Sequence, residues 1–419
     1  MSTVRARKWW QGEAIFCLAL FALAFVLRIS TVVYLNQSYN TFIFAPDSRM
    51  YDGLARSLAA GQGYAIGGDH REYTRIAPAF PVYLAILYRL FGRSVWVVGV
   101  ANAVLGSLTC LIVYGIGRRL LARWAAALAG FLTAAYWEFL LWTPFVLKET
   151  LALLLFTTAF LLILASIDRP SRWVAFAGGC VLGVASLARY ASLGFLPFLI
   201  GAFVLTRERL RLRFLILPLV AGVGIAMAPW LVRNYVIFGE VLLSNHGPAR
   251  ALYLTYGPGK VEDTRGYAGV EGLDLTAVDA MDRQSASALA RERSYLRVAL
   301  AQVAADPWRI ARLASAKVVN MWRPTWEKFR FPMRIPFAVA YFTLLTGGII
   351  GLVLYALDTG RLSLLHVVLM YYVVAHSIFW AEIRNRLYLM PYVIIFAAYS
   401  VQVIAARRLS ARQVSVGGS

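Results

Sequence analysis

The sequence predicts an all-α polytopic membrane protein with about ten transmembrane helices and two long segments on one face of the membrane. Hydrophobic residues make up 60% of the 419 positions and charged ones only 15%, where soluble domains carry roughly a quarter charged. Apolar runs of spanning length, roughly 20 residues, recur along the chain. The basic residues behind its net charge of +21 sit in the short segments between those runs, as the positive-inside rule requires. In a soluble protein such a charge would point to nucleic acid; here the bilayer accounts for it, and no nucleic-acid partner is expected.

The first apolar run, 14–35, follows Arg5, Arg7 and Lys8. It is too long for the core of a secretory signal and lacks a small-residue cleavage site, so it reads as a signal-anchor helix. Further spans are expected near 95–117, 124–145, 149–167, 173–188, 190–206, 214–235, 333–356, 362–381 and 387–406. An inside N-terminus puts Arg118, Arg119 and Arg123, then Arg169 and Arg172, then Arg207 to Arg213, then Arg361, then Arg407, Arg408 and Arg412 on one side. That side is expected to be the cytoplasm, with both termini on it, in a cell inner membrane. The chain thus reads as a single transmembrane domain, 1–406, with a cytoplasmic tail, 407–419. Cys17, Cys110 and Cys180 all lie in apolar runs, which excludes a disulfide framework or a cysteine metal site.

The opposite face carries the segments 36–94 and 236–332. In the first, Tyr51, Leu54, Ala55 and Leu58 recur at helical spacing after Pro46-Asp47, and Gly61-Gln62-Gly63 supplies a stop. In the second, about 276–304 reads as one helical stretch, and Asp306-Pro307 as the N-cap and first residue of another. The stretch from Tyr256 to Gly272, rich in Gly and charge, has no periodicity and is expected to be a mobile loop.

Ionisable residues at membrane depth cost roughly 2.5–3.5 kcal/mol each on insertion scales, so their placement is informative. Arg28, Glu138, Lys148, Glu149, Arg189, Arg233, His376, Glu382, Arg384 and Arg386 all fall in the outward half or at the outer end of their helices, and Asp47, Arg49, Asp52, Arg75, His246 and Arg250 add to the same level. Helix-end Arg and Lys can simply snorkel to the interface. Glu138 cannot, because it sits between Trp137 and Phe139 where a carboxylate needs a partner. A polar cavity open to the outer leaflet explains the set, and its many arginines suit an anionic phosphate ligand. Asp47 has two readings of equal weight from spacing: a helix N-cap, or a carboxylate turned toward the membrane domain on the face of Tyr51.

The ordered residues resemble a known pattern. The opening transmembrane helix, Pro46-Asp47-Ser48-Arg49-Met50-Tyr51, Gly61-Gln62-Gly63-Tyr64 and Arg75-Ile76-Ala77-Pro78-Ala79-Phe80-Pro81 look like the first outer loop of glycosyltransferase C superfamily enzymes. Family 39-like bacterial transferases, related to protein O-mannosyltransferases and aminoarabinose transferases, are most similar in pattern. Lys148-Glu149-Thr150-Leu151, Leu187-Ala188-Arg189-Tyr190, Pro229-Trp230 with Arg233-Asn234-Tyr235, and Glu382-Ile383-Arg384-Asn385-Arg386-Leu387-Tyr388 continue it in order. The resemblance implies the glycosyltransferase C fold and a transferase that takes a sugar from a polyprenyl-phosphate donor to a lipid, glycan or protein acceptor at the non-cytoplasmic face. It also implies that Asp47, matching the first-loop acid of the family, is the catalytic base. Relatives often carry a second acid directly after it, where this chain has Ser48.

The chemistry gives the remaining roles. Departure of a sugar from a lipid phosphodiester passes through an oxocarbenium-like state while the phosphate gains charge, so fixed cations stabilise the leaving group. Arg49, Arg75, Lys148, Arg233 and Arg386 are the expected contacts to phosphate or sugar, and Glu149 the second acid or hydroxyl-binding group. Tyr51, Glu138, Arg189, His246, Glu382 and Arg384 are secondary candidates. No cofactor is certain; a divalent metal on His246 and His376 with Glu149 or Glu382 is a rival site that no tight ligand spacing supports. The alternative class is a transporter or flippase of lipid-linked sugar, which would carry paired repeats around a midplane site. No repeat is evident, and the ionisable residues lie to one side.

Overall fold

An apolar segment in lipid has no water to satisfy its backbone, so helix is the conformation that pairs its peptide groups internally. A computed structural model describes residues 3–38, 45–68, 70, 72–205, 209–244, 247–256, 280, 287–324, 331–359, 363–379 and 383–417, and among these there is no β-strand. The helices are α1 (Thr3–Ser38), α2 (Pro46–Ala59), α3 (Ala79–Phe91), α4 (Val95–Leu120), α5 (Arg123–Ala135), α6 (Trp137–Leu141), α7 (Glu149–Asp168) and α8 (Arg172–Ala188). They continue as α9 (Phe195–Leu205), α10 (Arg209–Phe238), α11 (Pro248–Tyr256), α12 (Ala288–Ala305), α13 (Pro307–Met321), α14 (Phe331–Thr359), α15 (Leu364–Ile378) and α16 (Met390–Gly417). Short 3-10 turns lie at Glu72–Arg75, Tyr190–Gly194 and Ile383–Tyr388.

Among the described residues six helices, α1, α4, α7, α10, α14 and α16, are long and apolar enough to cross a membrane; α3, α8 and α15 are apolar but shorter. The chain is a multi-pass membrane protein. Its central helices α4, α7, α8 and α16 pack against α1, α5, α10 and α14. Where α8 meets α10, a Cβ at Gly179 would sit on the Leu219 carbonyl and one at Gly222 on the Phe176 carbonyl. These glycines let the two backbones touch, the usual way membrane helices gain contact without a hydrophobic drive between them.

Two sequence expectations change. The run 124–145 is not one helix: α5 ends at Ala135, Tyr136 is extended (φ −65°, ψ 115°), and only the five-residue α6 follows. Polar bonding supports the break. The Tyr136 hydroxyl donates to Glu138 at 3.0 Å, and Asn102 of α4, fully buried, donates to the carbonyls of Thr143 and Phe145 at 3.1 and 3.2 Å. Asp47, in turn, is not an N-cap. Ala45 occupies that position with no side-chain cap bond, Pro46 begins α2, and Asp47 lies inside its first turn. There its charge favours the positive end of the helix while the side chain stays free to reach elsewhere. The predicted stop after α2 is present, with Gly61 and Gly63 at φ 77° and 85°.

In the second long segment, α12 matches the C-terminal part of the predicted stretch 276–304 and α13 starts at Pro307 as expected; residues 257–279, including most of the expected mobile loop, lie outside the described residues. Glu292 of α12 accepts the backbone N–H groups of Gly247 and Ala249 at 2.9 Å each, capping α11. Lys317 of α13 is 3% exposed and donates to Tyr256 Oη, Ser377 O and Ile378 O at 3.2, 3.3 and 2.9 Å, tying α11 and α13 to the end of α15.

Burial pushes Lys317 from the ordinary 10.5 down to about 7. Between those values the unfolded chain holds a proton that the folded chain does not, so stability rises with pH across the window and is lost as pH falls toward 7. The α15 C-terminus, which favours a cation, opposes part of this. Lys317→Met should therefore flatten the pH dependence of the unfolding midpoint in detergent, removing on the order of 1–2 kcal/mol of the gain between about pH 7 and 9. An unchanged slope would show that this lysine does not set it.

Candidate active site

The first turns of α2 and α7, the end of α8 and the 3-10 turn Ile383–Tyr388 converge. Arg384 stands at the centre: its Nη1 lies 3.4 Å from Asp47 Oδ2 and 3.8 Å from Glu149 Oε1. Asp47 and Arg384 are partly open, 33% and 24% exposed, while Glu149 is 4% exposed. One arginine thus bridges an accessible carboxylate and a buried one. Lys148, beside Glu149, holds its ammonium 5.9 Å from the centre of the Tyr51 ring. Burial pushes Lys148 below the usual lysine range, against the pull of Glu149, and burial with Asp47 and Glu149 pushes the Tyr51 phenol well up.

Arg189, which ends α8, completes the wall. It donates to Asn385 Oδ1 at 2.8 Å, lies 3.3 Å from His376 Nε2, and stacks on the Tyr388 ring at 4.3 Å. Three cations, Lys148, Arg189 and Arg384, therefore face two carboxylates around a partly open mouth. That surplus of positive charge, with planar guanidinium donors, can hold a phosphate.

Other candidates from the sequence go elsewhere. Arg386 is not at this mouth: its side chain is fully buried in an ion pair with Glu138, it also donates to the carbonyls of Arg323 and Pro324, and it stacks on Tyr341 at 4.2 Å. Desolvation requires a buried guanidinium to use its donors internally, and Glu138 thereby finds the partner its position demanded. Arg233 is also engaged. It donates to Thr74 Oγ1 at 2.6 Å and to the carbonyls of Tyr64 and His70 at 3.3 and 2.8 Å, pinning the segment after α2 to α10. Arg75 is half-buried with Nη2 3.4 Å from Met50 Sδ, and Arg49 is exposed on α2. His246 and Glu382 lie outside the described residues. Trp142 is buried beside Phe145.

Residues 76–232 match the family described as dolichyl-phosphate-mannose-protein mannosyltransferase. No curated protein sequence matches the chain. Among solved structures, the archaeal oligosaccharyltransferase AglB of Archaeoglobus fulgidus, in complex with an inhibitory peptide and a dolichol-phosphate, superposes with a TM-score of 0.59 at 15% identity, over 97% of this chain and 52% of that one. The chain has the glycosyltransferase C fold. The apo form of the Archaeoglobus fulgidus enzyme gives a TM-score of 0.58 at 15% identity over 95% of this chain and 52% of that one. ArnT from Cupriavidus metallidurans bound to undecaprenyl phosphate gives 0.46 at 15% identity, over 93% and 78%. The chain spans about half the length of the oligosaccharyltransferase.

Within this glycosyltransferase C fold, no three of His, Cys, Asp and Glu among the described residues come close enough to hold a metal ion. Asp47 and Glu149 share Arg384 instead. Sequence reasoning missed Asn102. Its signal was available, an amide inside an apolar run, and its bonds to Thr143 and Phe145 steady the strand of chain leading to Lys148 and Glu149.

Proposed function

We propose that this chain transfers a sugar from a polyprenyl-phosphate donor to an acceptor hydroxyl at the non-cytoplasmic face, by single displacement with inversion. The observation that carries the reading is the meeting of Asp47, Arg384, Glu149 and Lys148 at one partly open mouth. The fold, and the dolichol-phosphate bound by the structurally similar oligosaccharyltransferase, support a lipid-phosphate donor. The acceptor class is a lipid, glycan or protein bearing a hydroxyl.

In this reading Asp47 takes the proton of the acceptor hydroxyl as its oxygen attacks the anomeric carbon. The bond from that carbon to the phosphate oxygen breaks, its electron pair stays on the phosphate, and free polyprenyl phosphate leaves. Lys148, Arg189 and Arg384 stabilise the charge that gathers there, in place of Arg386 and Arg233, whose guanidinium groups are committed to the protein. Glu149 orients Arg384 and binds a sugar hydroxyl. Asp47 must sit across the sugar from those cations for inversion, and Arg384 moving from Asp47 to the phosphate would free the base as the donor seats.

Purified protein in lipid nanodiscs, given a panel of polyprenyl-phosphate sugars and membrane extract as acceptor, should release free polyprenyl phosphate from at least one donor. Binding of these lipids without release from any of them would return the chain to the carrier class.

A further inference from the structure

Arg28 is 1% exposed inside α1, within the stretch Gly12–Gln37 that is long and apolar enough to cross a membrane. Its Nη1 donates to Ala24 O at 3.1 Å and to Ala134 O at 3.5 Å, and its Nη2 to Cys110 Sγ at 3.5 Å. None of these acceptors carries a charge, and Nε has no hydrogen-bond partner among the described residues. A guanidinium buried without a counter-ion is costly, and an apolar side chain in its place would be neutral or stabilising. Yet the chain makes room for it: a Cβ at Gly106 of α4 would collide with the Arg28 Nε and Cδ. A charge given a glycine slot, in a position where leucine would serve packing better, acts on something.

Glu149 is the acidic residue that lines a cavity with Arg28. This cavity of about 20 Å³, large enough for one water molecule, is lined mainly by apolar groups such as Phe139, Leu153 and Leu387, with Arg28, Thr109, Glu149 and Thr150 contributing its polar groups. Glu149 Oε2 is buried with no hydrogen-bond partner among the described residues, and its other oxygen meets Arg384 only at 3.8 Å. So a carboxylate and a guanidinium, each with an unused polar atom, share one small cavity.

We propose that Arg28 is a positioning residue: through one water, which accepts from its Nε–H and donates to Glu149 Oε2, it holds the Glu149 carboxylate oriented from behind. Its purpose follows from the front of the site. When Arg384 turns from Asp47 to a donor phosphate, Glu149 has to keep orienting it, and Arg28 fixes Glu149 from the opposite side. This inference rests on the reading of Glu149 as part of the transferase site.

The test is a double-mutant cycle on Arg28 and Glu149, with Arg28→Lys as the conservative variant, followed in nanodiscs by polyprenyl-phosphate release and by unfolding midpoint. Arg28→Gln should lower kcat about 10–100-fold with donor KM within about two-fold, and Arg28→Lys should recover much of the loss. R28Q/E149Q should be no slower than the worse single variant and should unfold no earlier than R28Q, because removing both charges relieves the one left stranded. Additive losses in both readouts, or a wild-type kcat in R28Q, would overturn the proposal. If wild type releases no polyprenyl phosphate, the transferase reading fails separately, and the midpoint cycle alone decides the pairing: additive midpoints reject it.

Discussion

Asp47→Asn is expected to lower kcat for sugar transfer by about 10²–10⁴-fold, the range that a positioned general base supplies, while the donor still binds. The substitution keeps the side-chain shape and removes the carboxylate's ability to take the acceptor proton. Folding should be nearly untouched. Asp47 is a third exposed and meets Arg384 at 3.4 Å, and a contact of that kind contributes at most about 1 kcal/mol. Polyprenyl-phosphate release and unfolding midpoint, measured on the same preparation, separate the two effects. Transfer within about ten-fold of wild type by this variant would remove Asp47 from the role of base.

The largest effect on stability is expected at the buried pair Arg386 and Glu138. Arg386 and Glu138 are 0% and 1% exposed, so replacing one leaves an uncompensated buried charge, which typically costs about 3–5 kcal/mol. Arg386→Leu should be the more damaging, since it strands Glu138 and also releases the carbonyls of Arg323 and Pro324 that follow α13. Glu138→Leu strands Arg386 but leaves those carbonyl contacts. The double variant E138L/R386L should recover most of the charge penalty and none of the tether. Unfolding in graded denaturant would rank the three, and single variants as stable as wild type would show that the pair does not hold the fold together.

Arg384, the partner of Asp47, stands two positions from Arg386, the partner of Glu138, and their divergence shows where sequence reading ends. Arg384 and Arg386 share the segment Ile383–Tyr388; Arg386 was an expected phosphate or sugar contact and Arg384 a secondary candidate. On a 3-10 turn, with three residues per turn, positions two apart point to different sides. One therefore reaches Asp47 and Glu149, the other Glu138. A similar limit applies to Tyr136: the apolar composition runs on unbroken through it, with no Gly or Pro at the break, and the cause lies in partners contributed by Asn102 and Arg386 from distant parts of the chain. Arg233 matched the pattern of a ligand contact as well as Arg384 did, and only the approach of the Thr74 hydroxyl and the His70 carbonyl shows its donors already taken.

The sequence by itself determined the class of protein and the run of helices, because membrane burial makes each span satisfy its own backbone and so writes its length and apolarity locally. It also marked the depth at which chemistry had to sit, since every ionisable group in an apolar run carries a cost that must be met. Which cation meets which carboxylate was decided only by the tertiary structure. A side chain at membrane depth is satisfied by groups brought from elsewhere in the chain, and the direction of each helix and turn, rather than the spacing of residues along it, selects the partner.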